Sequence, residues 1–156
     1  MTDFDRLIPE LPDWNNGRGI DIASWLTCIG RFDHAVAYLT LFWPAFTLHD
    51  DCVLFAHFRL ESFDGFMRQT GGNRSAVESV MNHRHILDLF SCQDGASEEV
   101  VLHLGRALRD MWSCKLQRDF LDRQFIVSFP EDTVADLIEY EVTFYQPRQE
   151  ATQPIG

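Results

Sequence analysis

The sequence predicts an α+β protein in which helices pack on one face of a three- or four-stranded antiparallel sheet, with a C-terminal β-hairpin. Three observations predict this class. Apolar residues recur with helical spacing in two regions, a continuous apolar run lies between turn signals near residue 50, and strict apolar–polar alternation occurs near the end of the chain. The 156 residues fit a single domain spanning 1–156.

Two helices are predicted in the first third of the chain. Residues 1–19 are expected to form an irregular N-terminal arm, because prolines and glycines interrupt them. Asp21 can cap a first helix that runs to about Gly30 and carries an apolar stripe at i, i+3, i+4 and i+7. Asp33 can cap a second helix, so a helical hairpin is expected here.

A short β-hairpin is predicted next. Cys52–Phe58 begins with a continuous apolar run, which is typical of a strand covered on both faces. Residues 45–48 form its expected partner strand, and 49–51 (His-Asp-Asp) are the expected turn between the two.

Three helices are predicted in the middle of the chain. Ser62 can cap a short one that ends at Gly71, and residues 75–78 (Ser-Ala-Val-Glu) match a capping box. That second helix is expected to reach about Phe90, with a kink at 83–85 (His-Arg-His), which interrupts its apolar stripe. Ser97 can cap a third and longer helix that ends near Phe120.

The last structured element is predicted to be a β-hairpin of residues 125–129 and 138–144. In its second strand Ile138, Tyr140, Val142 and Phe144 share one face. Glu139, Glu141 and Thr143 share the other, which should meet water or a partner. Residues 146–156 contain two prolines and are expected to form a loose tail.

The charge balance excludes several kinds of partner. Lys and Arg number 13 and Asp and Glu number 24, a net charge of −11. Such a surface repels phosphate, so we expect neither a nucleic acid nor an anionic membrane as partner. The four cysteines form no CxxC pair, and no secretory leader pattern is visible, so a cytoplasmic location is expected.

The leading functional prediction is a small acidic module that binds a basic protein, such as an inhibitor or immunity-type protein. A strand that displays carboxylates can attract such a partner and pair with its Arg or Lys side chains. The predicted binding residues are Glu131, Asp132, Asp136, Glu139, Glu141 and Tyr145. No catalytic motif is found, so a binding protein is favoured over an enzyme, and no catalytic residue or cofactor is predicted.

Two alternatives stay open. The first is a metal-dependent hydrolase that uses a His/Asp cluster; its candidate ligands are His83, His85, Asp88, His49 and Asp50. On a continuous helix His83 and His85 would point about 200° apart, so they could share an ion only if the helix were broken there. The second is a structural subunit of a homo-oligomer, because 20 residues are aromatic.

Overall fold

The computed structural model describes residues 2–90, 96–132 and 134–148. Contacts divide the chain into two compact units, Met1–Leu41 and Phe42–Gly156, where the sequence predicts one domain. None of the helices in the described ranges combines the length and the apolar character that a bilayer-spanning segment needs.

The first unit is helical. Its elements are α1 Phe4–Leu7, a 3-10 helix Leu11–Asp13, α2 Trp14–Gly17, α3 Ile22–Ile29 and α4 Phe32–Phe42, which ends at the boundary with the second unit. The arm expected to be irregular therefore contains two short helical turns, α1 and the 3-10 helix, whereas α2 is a left-handed turn in which Asn15 and Asn16 have φ values of 54° and 58°. Asp21 caps α3 as predicted, because its Oδ1 accepts the Ser24 N–H at 3.0 Å. Asp33 lies inside α4 and pairs with Arg31.

The predicted first hairpin is confirmed. β1 Phe46–His49 and β2 Cys52–Phe55 pair antiparallel, with His49 opposite Cys52. The two turn residues Asp50 and Asp51 have φ values of 45° and 64°. Positive φ at both central residues is what a type I′ turn requires.

The helix predicted from Ser75 to about Phe90 ends earlier, at Met81, just before the expected kink at 83–85. The residues form α6 Arg74–Met81, β3 Arg84–His85 and a 3-10 helix Ile86–Leu89, after α5 Leu60–Gln69. Asn73, not Ser75, is the cap of α6, since its Oδ1 accepts the Ala76 N–H at 3.0 Å. The capping-box glutamate, Glu78, is instead completely buried.

The remaining elements complete a second sheet. They are α7 Glu98–Asp119, β4 Ile126–Ser128, a 3-10 helix Leu137–Glu139 and β5 Glu141–Tyr145. Ser97 caps α7 as predicted, accepting the Val100 N–H at 3.3 Å. The strand order is β3-β5-β4 and both pairings are antiparallel, so the α+β class and the C-terminal hairpin are confirmed.

The predicted alternation of the closing strand holds only in part. Tyr140, Val142 and Phe144 are fully buried as expected. Ile138 is exposed, because it lies in the 3-10 helix before β5. Thr143 is buried, because its hydroxyl donates to the Ser79 carbonyl of α6 at 2.7 Å.

The core of the second unit is aromatic. The Phe144 ring contacts the rings of Phe55 and Trp112 edge-on, at centroid distances of 5.5 and 6.2 Å. The Phe129 ring lies against Gly105 in α7, where an added Cβ would overlap it. These contacts fix the second sheet against α7.

The Glu78 carboxylate of α6 connects that helix to β2 and to the residues that follow β5. Oε1 accepts the Val53 N–H of β2 at 2.7 Å, and Oε2 accepts the Gln146 N–H at 2.8 Å. Arg148 donates to Oε2 at 3.0 Å. Gln146 and Arg148 therefore do not belong to a loose tail; the rest of the predicted tail, 149–156, lies outside the described residues.

We expect Glu78→Ala to lower the free energy of unfolding by about 3–5 kcal/mol, because it removes the acceptor that the Val53 N–H, the Gln146 N–H and the Arg148 guanidinium share at a buried site. Urea denaturation measures the change. Glu61→Ala, which removes an exposed carboxylate from α5, is the control and should cost less than about 1 kcal/mol. Equal losses in the two variants would contradict this role of Glu78.

Candidate metal centre

Because α6 ends at Met81, both histidines lie outside the helix: His85 belongs to the short strand β3, and His83 directly precedes it. Their rings are in contact, so the two imidazoles lie on the same side of the chain. His85 stands opposite Glu141 of β5 in the sheet register. The break that would let the two imidazoles share an ion is therefore present.

Three side chains converge at this point. His83, His85 and Glu141 each offer one ligand atom, and these atoms all lie within 4.8 Å of one another. His85 Nε2 is 3.9 Å from Glu141 Oε2. The imidazole rings meet edge-on at a centroid distance of 5.4 Å. All three residues are half-buried, so one side of the cluster is open to solvent.

Hydrogen bonds to the main chain set the tautomer of both imidazoles. His83 Nδ1 lies 2.5 Å from the Val80 carbonyl oxygen, and His85 Nδ1 lies 2.7 Å from the Ile138 carbonyl oxygen. A carbonyl oxygen only accepts, so each Nδ1 carries the hydrogen. In the neutral ring Nε2 then keeps its lone pair, which is the form of histidine that binds a metal.

Arg84 supports this arrangement from the opposite face. Its guanidinium lies over the Phe55 ring, 4.4 Å from the centroid, and Nη1 donates to the His83 carbonyl at 2.6 Å. Burial lowers the pKa of Arg84 from its ordinary value. The contact holds the backbone between the two histidines in place and keeps this positive charge on the side of the strand away from the imidazoles.

The other predicted metal ligands lie elsewhere. The His49 ring packs between Phe58 and Phe63, at 5.1 and 4.8 Å. Asp50 pairs with Arg74 at 3.0 Å. Asp88 is exposed in the 3-10 helix and does not belong to the cluster. Glu141, which the sequence analysis assigned to a partner surface, takes the place expected for Asp88.

The predicted acidic binding residues do not form one uniform surface. Glu131 pairs with Arg106 and Arg109, and Asp136 caps the Ile138 N–H at 3.2 Å. Asp132 and Glu139 are exposed, and Tyr145 of β5 is half-buried.

The cysteines do not provide a nucleophile in the core. Cys52 is fully buried, and burial, with a smaller contribution from the charge of Glu78, raises the pKa of its thiol to about 11. Cys28 and Cys114 are exposed free thiols, and Cys92 lies outside the described residues.

Comparison of the chain with protein-family models, curated proteins and solved structures finds no match.

We expect Cys52 to resist thiol reagents in the folded protein, because at about pH 8 roughly a thousandth of a thiol with this pKa is ionised. A variant that retains only Cys52, with the other three cysteines changed to Ser, should react with an aromatic disulfide reagent only after denaturation. A variant that retains only the exposed Cys114 is the control and should react while folded. Rapid labelling of folded Cys52 would contradict the burial.

Proposed function

We propose that this protein binds a divalent transition-metal ion through His83, His85 and Glu141. The observation that carries the proposal is the convergence of two imidazoles and a carboxylate within 4.8 Å, with the Nδ1 atom of each imidazole bonded to a main-chain carbonyl. Metal-binding histidines in proteins have this outer hydrogen bond as a rule. Two imidazoles and one carboxylate suit Zn²⁺ or Fe²⁺ better than Mg²⁺ or Ca²⁺.

The cluster needs only a small contraction to hold an ion. Around a tetrahedral Zn²⁺ with bonds of about 2.0–2.1 Å, ligand atoms are about 3.3 Å apart. The His85–Glu141 separation of 3.9 Å approaches that value, and the full set lies within 4.8 Å. Side-chain rotation of the half-buried Glu141 can supply the difference.

The ligand number supports a catalytic rather than a purely structural metal. Catalytic zinc sites use three protein ligands and keep the fourth position for water, whereas structural sites are closed by four. The cluster has three ligands and an open side. A metal-bound water would be a hydrolytic nucleophile near neutral pH, so the reaction class proposed is metal-dependent hydrolysis.

We expect chelator-treated protein to bind one equivalent of Zn²⁺ in isothermal titration calorimetry, with heat released at a single class of site. His85→Ala and Glu141→Gln should each weaken binding at least about 100-fold, because each removes a direct ligand. Affinity should fall on acidification, since protons compete for the imidazole nitrogens.

Two matched controls separate ligands from surface residues. His103→Ala removes an exposed histidine of α7, and Glu139→Gln removes an exposed carboxylate two residues before Glu141. Both should bind Zn²⁺ like the unaltered protein. Binding below a tenth of an equivalent, or equal losses in ligand and control variants, would overturn the proposal.

A second candidate function, recognition of a basic protein, has one specific observation in its favour. Ile138 is an exposed apolar residue, and the carboxylates of Asp136 and Glu139 flank it in the chain. Protein interfaces commonly have an apolar centre and a polar rim. The proposed surface is therefore narrower than the sequence analysis predicts and comprises Asp132, Asp136, Ile138 and Glu139.

We expect Glu139→Lys to weaken binding of an arginine-rich peptide more than Glu61→Lys, which changes the net charge equally on α5. The peptide's Kd, measured by fluorescence anisotropy, should rise several-fold more for Glu139→Lys, and raised salt should remove the difference. Equal effects would assign the attraction to net charge alone and contradict a defined surface.

A further inference from the structure

Helix α4 of the first unit presents apolar side chains to solvent. All ten residues from 31 to 40 are exposed. Phe32, Val36 and Leu39 follow one another at spacings of four and three residues and keep 95, 64 and 63% of their surface exposed. We call these three residues the α4 seam. Residues spaced in this way lie on one face of a helix.

An exposed helix of this kind needs a partner to be stable. α4 has 11 residues, and isolated helices shorter than about 12–15 residues are marginal in water even when rich in alanine. Aromatic and β-branched residues such as Phe32 and Val36 lower helix propensity further. The stability of α4 therefore depends on burying its seam.

The charge distribution around α4 favours a second copy of the chain as the partner. Between Ile22 and Trp43 the only formal charges are Arg31 and Asp33, which pair with each other at 2.6 Å. This segment is neutral, although the whole chain carries −11. A second copy can approach here without bringing carboxylates together, whereas like charges oppose contact over most of the remaining surface.

Other partners fit this face less well. Helices that lie on membranes pair their apolar face with Lys and Arg on the polar face, and α4 contains neither. A strongly charged protein would find no unpaired formal charge on it. A four–three spacing of apolar residues is instead the pattern by which helices of a bundle interlock.

We propose that the α4 seam is the contact surface of a homodimer, in which α4 of one copy packs antiparallel on α4 of the other. A two-fold arrangement makes the contact self-complementary, so that Phe32 of one copy meets Leu39 of the second and Val36 lies near the axis. The proposal is independent of the metal centre, which lies on α6, β3 and β5.

Sedimentation velocity over a wide range of protein concentration tests the dimer, with chelator present so that a metal ion cannot bridge two chains. We expect a species with twice the mass of one chain that dissociates on dilution. Val36→Asp should raise the dissociation constant at least 100-fold, because it places two carboxylates near the axis. Leu121→Asp, at an exposed apolar residue outside the first unit, is the matched control and should leave it unchanged.

Four outcomes would overturn the proposal. The first is a monomer at every concentration, and the second is a dimer that Val36→Asp leaves intact. The third is co-sedimentation of the protein with neutral phosphatidylcholine vesicles that Val36→Asp abolishes. The fourth is a loss of helical circular dichroism in Val36→Asp protein beyond that of the unaltered protein diluted to monomer, which would mean that the seam is covered within one chain. A monomeric Val36→Asp variant with the circular dichroism of the diluted unaltered protein, beside a dimeric Leu121→Asp variant, would support the proposal.

Discussion

The second unit depends on one buried carboxylate, that of Glu78. Removing a carboxylate from water is costly unless donors replace the lost hydration. Here the main-chain N–H groups of Val53 and Gln146 and the Arg148 guanidinium serve as those donors. Since β2, α6 and the chain after β5 each contribute to this arrangement, none of them can move without leaving a charge or a donor unpaired.

The candidate metal centre follows from the same packing. Because α6 is held against β5, its last turn ends beside that strand, and the Asn82 side chain donates to the carbonyls of Val53 and Phe144. After α6 the chain forms the short strand β3, which pairs antiparallel with β5. The imidazoles of His83 and His85 consequently meet a carboxylate that belongs to another strand.

Several acidic residues are paired with arginines and so are not free to meet a partner. Asp50, Asp51 and Glu131 each pair with arginine side chains of the second unit. The hydrogen bond from Arg123 lowers the pKa of Asp51 below its ordinary value, so this carboxylate stays ionised to lower pH. Many of the acids thus stabilise turns and connections, and the surface open to a basic protein is correspondingly smaller.

The sequence by itself determined the features that depend on near neighbours. The caps Asp21 and Ser97, a turn at Asp50–Asp51 and the burial of Tyr140, Val142 and Phe144 are as predicted, because each is decided within a few residues. The error at Glu78 has the same origin: the Ser-x-x-Glu pattern of a capping box does not show whether its glutamate caps the helix or is buried.

Only the tertiary structure decided which distant residues meet. The break after Met81 and the register that sets His85 opposite Glu141 arise from packing between α6 and β5, so no local pattern contains them. The same holds for Arg148, which donates to the Glu78 carboxylate although the two residues are far apart in the sequence. Long-range pairing is a property of the folded chain, and for that reason the metal-binding cluster became visible only with the fold.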